Sequence, residues 1–130
     1  MTRALADTSI FIAQESGRPL GELPSELAVS VVTIGELELG VFAAADPETR
    51  ARRAGTLELA RAADPIPIGE PVMSAFARLV HDCRRAGIRP RVLDALIGAT
   101  AVEHGLPLVT QDDDFAGISA AHAPLTILRV

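Results

Sequence analysis

The chain has 130 residues, 48% hydrophobic and 22% charged, with a formal net charge of −5 and four Phe as its only aromatics. That is the size of one ordinary domain, with enough Leu, Ile, Val and Ala to bury a core, and its acidic balance argues against a module that holds nucleic acid through bulk charge. Every strongly basic side chain is Arg, so lysine chemistry is excluded; the single cysteine, Cys83, excludes an intrachain disulfide and points to a reducing compartment.

The first residues lack a basic stretch followed by a long apolar run, and no apolar run approaches the ~20 residues that cross a bilayer. The expectation is a cytoplasmic protein of one domain, residues 1–130, away from the membrane. A short strand is predicted over Arg3–Asp7, followed by a helix over Ser9–Gln14 with Ile10 and Phe11 packing inward. The β-branched run Leu27–Val32 predicts a second strand. Thr33 then reads as an N-cap, with Glu36 three residues on in the capping-box position, and a helix runs from Ile34 to about Ala45. A further helix covers about Pro47–Ala63 and carries Arg50, Arg52, Arg53 and Arg61. Pro65–Ile68 is a proline-bounded strand. Glu70–Arg85 is a helix with Val72, Phe76, Leu79, Val80 and Cys83 on one face, stopped by Gly87. Cys83 on that face reads as a buried, inert thiol. Val92–His104 is a helix ended at Gly105, and His104 suits a helix end. Leu108–Thr110 is a strand, Asp112–Ile118 a short helix and Thr126–Val130 a final strand. Strands alternating with helices predict a mainly parallel sheet with helices on both faces, its chemistry at the carboxyl ends of the strands.

The carboxylates fall where such a sheet does its work. Asp7 closes the first strand and Asp112 and Asp114 follow Leu108–Thr110, while Glu36 and Asp94 sit in the first turns of two helices. All these positions can face one rim. Like charges brought together there are costly unless a cation lies among them. With Lys absent, the natural cation is a divalent metal, and all-oxygen ligation favours Mg²⁺ or Mn²⁺. Metals held this way lower the pKa of bound water and shield phosphate charge, as phosphodiester hydrolysis requires. Each acid also has a plainer reading. Asp7 suits a helix cap, Glu36 a capping box, Asp94 a favourable charge at a helix N-terminus, and Asp112-Asp113-Asp114 a solvated turn. Glu38 is the rival to Glu36 on its helix, and Gly40, one turn from Glu36, would leave room for a ligand. Asp113 is expected to face solvent.

Four segments carry a family resemblance: Leu5-Ala6-Asp7-Thr8-Ser9, Thr33-Ile34-Gly35-Glu36-Leu37 with Gly40, Leu93-Asp94-Ala95-Leu96-Ile97, and Leu108-Val109-Thr110-Gln111-Asp112-Asp113-Asp114-Phe115. In order and spacing they resemble the PIN domain, most closely the VapC-type toxins of bacterial toxin–antitoxin pairs. The resemblance runs almost from end to end. It implies a three-layer α/β/α fold with a five-stranded parallel sheet in the order 3-2-1-4-5. It implies an Mg²⁺- or Mn²⁺-dependent endoribonuclease acting on RNA, a cognate antitoxin that blocks the cleft, and toxin homodimers. The family's acids carry over onto Asp7, Glu36, Asp94 and Asp112 as catalytic and metal-binding residues, with Asp114 as a further metal ligand. Thr8, Ser9 and Thr110 match hydroxyl positions near the metal.

Among basic residues, Arg50, Arg53 and Arg61 share one helix side, and Arg84, Arg85, Arg89 and Arg91 cluster just before Asp94. Both groups suit either phosphate contact or a solvated surface, with Arg89 and Arg91 favoured for phosphate by their nearness to Asp94. His81, His104 and His122 lack ligand spacing. A receiver-type phosphoacceptor and a haloacid-dehalogenase-like phosphatase both require a Lys. A PIN-like domain used only for association is the remaining alternative, which a metal titration distinguishes.

Overall fold

The computed structural model describes residues 3–130. Five strands form one parallel sheet: β1 (Arg3–Ala6), β2 (Glu26–Ser30), β3 (Pro65–Ile66), β4 (Leu108–Thr110) and β5 (Ile127–Arg129). Their order is β3-β2-β1-β4-β5, as the resemblance implied. Six helices connect them: α1 (Thr8–Ser16), α2 (Val31–Phe42), α3 (Pro47–Arg61), α4 (Glu70–Arg85), α5 (Val92–Glu103) and α6 (Asp114–Ala121).

The period of two along a strand divides the core into two layers. On β1, Ala4 and Ala6 pack with Ile10 and Phe11 of α1, Leu37 of α2 and Leu57 of α3. Leu5 points the other way, among Leu79 and Cys83 of α4, Ile97 of α5 and Phe115 of α6. The result is a three-layer α/β/α arrangement. Central strands buried on both faces explain why their sequences are continuous apolar runs. The small-residue character of α5 is needed for close packing: a Cβ at Gly98 would meet Leu79 Cδ1 at 3.3 Å and Leu125 Cδ2 at 3.4 Å. Cys83 is fully buried, and that burial pushes its thiol pKa up, as expected of an inert cysteine.

Helix ends follow local chemistry. Gly87 (φ 75°) and Gly105 (φ 64°) take the left-handed conformation just beyond α4 and α5, and His104 is the C-cap of α5. The expected start of α2 is wrong. Thr33 does not cap α2. Ser30 does, its hydroxyl accepting from Val32 N at 3.1 Å, so Val31-Val32 form the first helical turn instead of the end of a strand. The strand stops where β2 last pairs with β3, at Ser30 opposite Ile66, and the serine cap outweighs the β preference of two valines. Likewise α6 begins at Asp114, not Asp112.

No helix among the described residues is long and apolar enough to cross a membrane.

Candidate active site

Because β1 and β4 are neighbours, Asp7 and Asp112 emerge side by side at their carboxyl ends, at the point where the strand order reverses. Asp7 N donates to Val109 O at 2.9 Å, which fixes the backbone there. The Asp7 side chain is the N-cap of α1, accepting from Ser9 N at 3.4 Å. It also accepts from Thr110 Oγ1 at 2.9 Å. Both bonds reach Oδ2, so the plain reading of Asp7 as a cap holds and its other oxygen is spared. The fully buried Thr110 hydroxyl accepts from Asp112 N at 3.0 Å, so one side chain orients two acids. Ser9 Oγ lies 3.2 Å from Thr110 Oγ1 and accepts from Gln111 N at 3.0 Å.

A second relay holds Glu36. With α2 capped by Ser30 and starting at Val31, Glu36 is in the second turn and is no capping-box partner. Its Oε1 instead accepts from Thr8 Oγ1 at 2.7 Å. Thr8 has only one hydroxyl proton, so buried Thr33, 3.0 Å away, donates to Thr8. Asp94, in the first turn of α5, is 8% exposed.

These four acids line one cleft of about 180 Å³ together with Thr8, Ser9, Arg18 and Arg91. Asp114, at the start of α6, lies outside the lining, yet its charge raises the pKa of both Asp94 and Asp112. Glu38 points elsewhere, pairing with Arg61 Nη2 at 2.7 Å. Gly40 is not part of the cleft: its carbonyl accepts from Arg53 Nη1 at 2.7 Å, tying α2 to α3. Asp113 is exposed and pairs with Arg129.

The electrostatics show the cost of this assembly. Burial pushes Asp94 up to about 6, against the pull of Arg91 and with Asp7, Asp114 and Glu36 adding to the rise. Burial also raises Asp7, opposed by hydrogen bonds from Ser9 and Thr110. Asp112 is raised by burial and then by Asp7 and Asp114, opposed by Arg18 and Arg129. Arg91 places one nitrogen 3.8 Å from Glu36 Oε2 and another 3.9 Å from Asp94 Oδ2, an ion-pair distance and not a hydrogen bond. Arg18, held by Gln111 Oε1 at 3.3 Å, lines the other part of the cleft. Sequence reading missed Arg18; its only signal was an isolated Arg after the glycine that ends α1.

The donor set suits a hard divalent cation, since every candidate ligand is a carboxylate or hydroxyl oxygen. The four acids share one cleft. Among the described residues no three His, Cys, Asp or Glu side chains are gathered so as to hold a metal ion.

The basic residues divide by location. Arg61 pairs with Glu58 and Glu38, and Arg50 and Arg53 bond to carbonyls of Ala44 and Gly40, so that group is structural. Arg91 is in the cleft, and Arg89 lines a neighbouring cavity.

The sequence pattern of the PIN domain matches residues 4–121. Ribonuclease VapC8 of Mycobacterium tuberculosis is 60% identical over 99 residues, covering 75% of this chain and 88% of its own length. Ribonuclease VapC4 of the same organism is 48% identical over 118 residues, covering 89% and 91%. The fold matches the crystal structure of VapBC-5, a member of the VapBC family of toxin–antitoxin systems from Mycobacterium tuberculosis, with a TM-score of 0.89 at 38% identity and full coverage of both chains. With its sheet order, its rim of acids and these likenesses, the chain belongs to the PIN-domain family, among the VapC proteins.

Proposed function

We propose that the protein is a divalent-metal-dependent endoribonuclease and the toxin of a toxin–antitoxin pair, with Asp7, Glu36, Asp94 and Asp112 as its catalytic acids and Asp114 as an auxiliary metal ligand. The observation that carries this reading is that four carboxylates from four separate segments line one cleft in a chain without Lys. The VapC8 and VapC4 relatives are ribonucleases by name, which supports RNA as substrate, and the VapBC-5 structure supports an antitoxin partner.

In this mechanism Asp7, Glu36, Asp94 and Asp112 would hold Mg²⁺ or Mn²⁺ at the cleft, and a bound ion would supply shielding of phosphate charge and a more acidic water for phosphodiester hydrolysis. Thr110 keeps Asp7 and Asp112 aligned, and the Thr33–Thr8 relay keeps Glu36 turned inward. The Thr110 hydroxyl donates to Asp7 and the Thr8 hydroxyl to Glu36, so both carboxylates are engaged as acceptors, the role metal ligation needs. Arg91 and Arg18 offer guanidinium groups to the substrate phosphates entering the cleft. An antitoxin would block this cleft, the toxin would act as a homodimer, and the site of action would be the cytoplasm.

The test is RNA cleavage by wild type and Asp7→Asn protein with Mg²⁺, with Mn²⁺ and with chelator. The wild type cuts only with metal and leaves 5′-phosphate and 3′-hydroxyl ends; Asp7→Asn folds and does not cut. Undiminished cutting by a clean Asp7→Asn preparation defeats the assignment.

A further inference from the structure

A second and larger cavity, about 700 Å³, lies beside the acidic cleft. Its apolar lining is formed by Phe76 and Val80 of α4 and by Ile88 and Val92, and Arg84 and Arg89 stand among them. The two cavities flank the first turn of α5: Arg91 and Asp94 line the cleft, whereas Val92 and Ala95 line the groove. The Arg89-Pro90-Arg91 segment therefore borders both.

The arginines of α4 and of the turn after it (Arg78, Arg84, Arg85 and Arg89) differ from those elsewhere among the described residues, and Arg84 and Arg89 are the two that line the groove. Arg61, Arg91 and Arg129 meet carboxylates, and Arg50 and Arg53 meet carbonyls. Among the described residues, Arg84 and Arg89 make neither an ion pair nor a hydrogen bond, and both are exposed. In a chain of net charge −5, uncompensated cations next to an apolar trough mark a place for a partner that is anionic and also carries flat apolar surface. Single-stranded RNA has both properties: phosphates for guanidinium groups and base faces that stack on apolar and aromatic side chains. Val92 is 63% exposed, so the groove's edge presents apolar surface with no cover in this chain.

Resting on the nuclease reading, we infer that this α4–α5 groove is the subsite for the nucleotides flanking the scissile phosphate. Their bases rest against Phe76, Ile88 and Val92, and their phosphates meet Arg84 and Arg89. One helix diameter, on the order of 10 Å, separates the groove from the cleft, a span a single strand crosses within a few nucleotides. The strand would leave the acids over Arg91 and descend into the groove past Pro90.

The test uses fluorescence anisotropy of a labelled single-stranded RNA of mixed sequence, titrated with the full chain over a range of salt concentrations. Asp94→Asn serves as a non-cutting background. In it, Arg84→Gln/Arg89→Gln is compared with Arg52→Gln/Arg61→Gln, which removes equal charge from α3. The groove variant should bind about tenfold more weakly, with a salt slope smaller by about 1 to 2, while the α3 variant binds like its parent. Equal loss in both variants, or none in the groove variant, overturns the inference. So does unchanged RNA affinity with a change in oligomeric state by light scattering, which would make the groove an interface between copies. If the parent binds no RNA at all, the nuclease reading itself fails, a result distinct from a parent that binds and a groove variant that binds equally.

Discussion

Asp94→Asn provides a stability test of the acidic cluster that needs no substrate. Asp94 is buried at the start of α5, and its pKa stands at about 6 against an ordinary 3.8. A carboxyl whose pKa is higher in the folded state binds more protons there than when unfolded. Stability is therefore greatest below the unfolded value and falls as pH rises towards 6, remaining low above it. At ~1.4 kcal/mol per pKa unit, ionised Asp94 costs the metal-free fold up to about 3 kcal/mol at neutral pH. Asparagine keeps the shape and removes the charge. In chelator at pH 7.5, Asp94→Asn should melt above wild type, by up to roughly 10 °C for a chain of this size. Towards pH 4 the gap should close, since wild-type Asp94 is then protonated. Added Mg²⁺ or Mn²⁺ should close the gap at a hundredfold excess over Kd, a gain of about 2.7 kcal/mol, and reverse the order at a thousandfold excess, about 4.1 kcal/mol, because only the wild type gains the binding energy. The assay is thermal unfolding by circular dichroism at several pH values, with chelator and with metal. A variant that melts below wild type in chelator at pH 7.5, or a gap independent of pH, would refute the electrostatic argument.

Further outcomes follow from the hydrogen bonds. Thr110→Val removes the hydroxyl that joins Asp7 to Asp112 and orphans Asp112 N; it should cost about 1–3 kcal/mol in urea unfolding and lower metal-dependent cleavage about 10- to 100-fold. Glu36→Gln should abolish metal-dependent RNA cleavage, whereas Glu38→Gln, which only loosens a surface pair with Arg61, should retain it and shift stability by less than about 1 kcal/mol. Ser30→Ala removes the α2 cap and should cost about 1 kcal/mol by chemical denaturation; no change would return the helix start towards Thr33.

Much of the architecture was legible in one dimension. The bounds of α4 (Glu70–Arg85) and of β4 (Leu108–Thr110) match expectation because each has an unambiguous period or apolar run with a clear stop. Asp7 and Asp112 were recognisable because an acid after a strand in a parallel sheet lands on the functional rim. The start of α2 was misread because Val31-Val32 favour a strand by propensity, while Ser30 settles the matter by capping. Glu36 was found with the wrong local partner. Spacing alone pointed to Thr33 as its cap, but its hydrogen-bond donor is Thr8, which sits at the head of α1.

What the amino-acid order determined was the set of elements and the kind of chemistry: aliphatic periods that build two helical layers on a parallel sheet, and carboxylates without lysine at the element ends. Tertiary structure alone decided which groups touch. Thr110 reaches Asp7 across 103 positions of chain and Thr33 reaches Thr8 across 25, and Arg18 joins the cleft with no motif around it. Such contacts depend on strand order and helix packing, which bring distant segments to within a hydrogen bond of each other, and no local pattern encodes that distance.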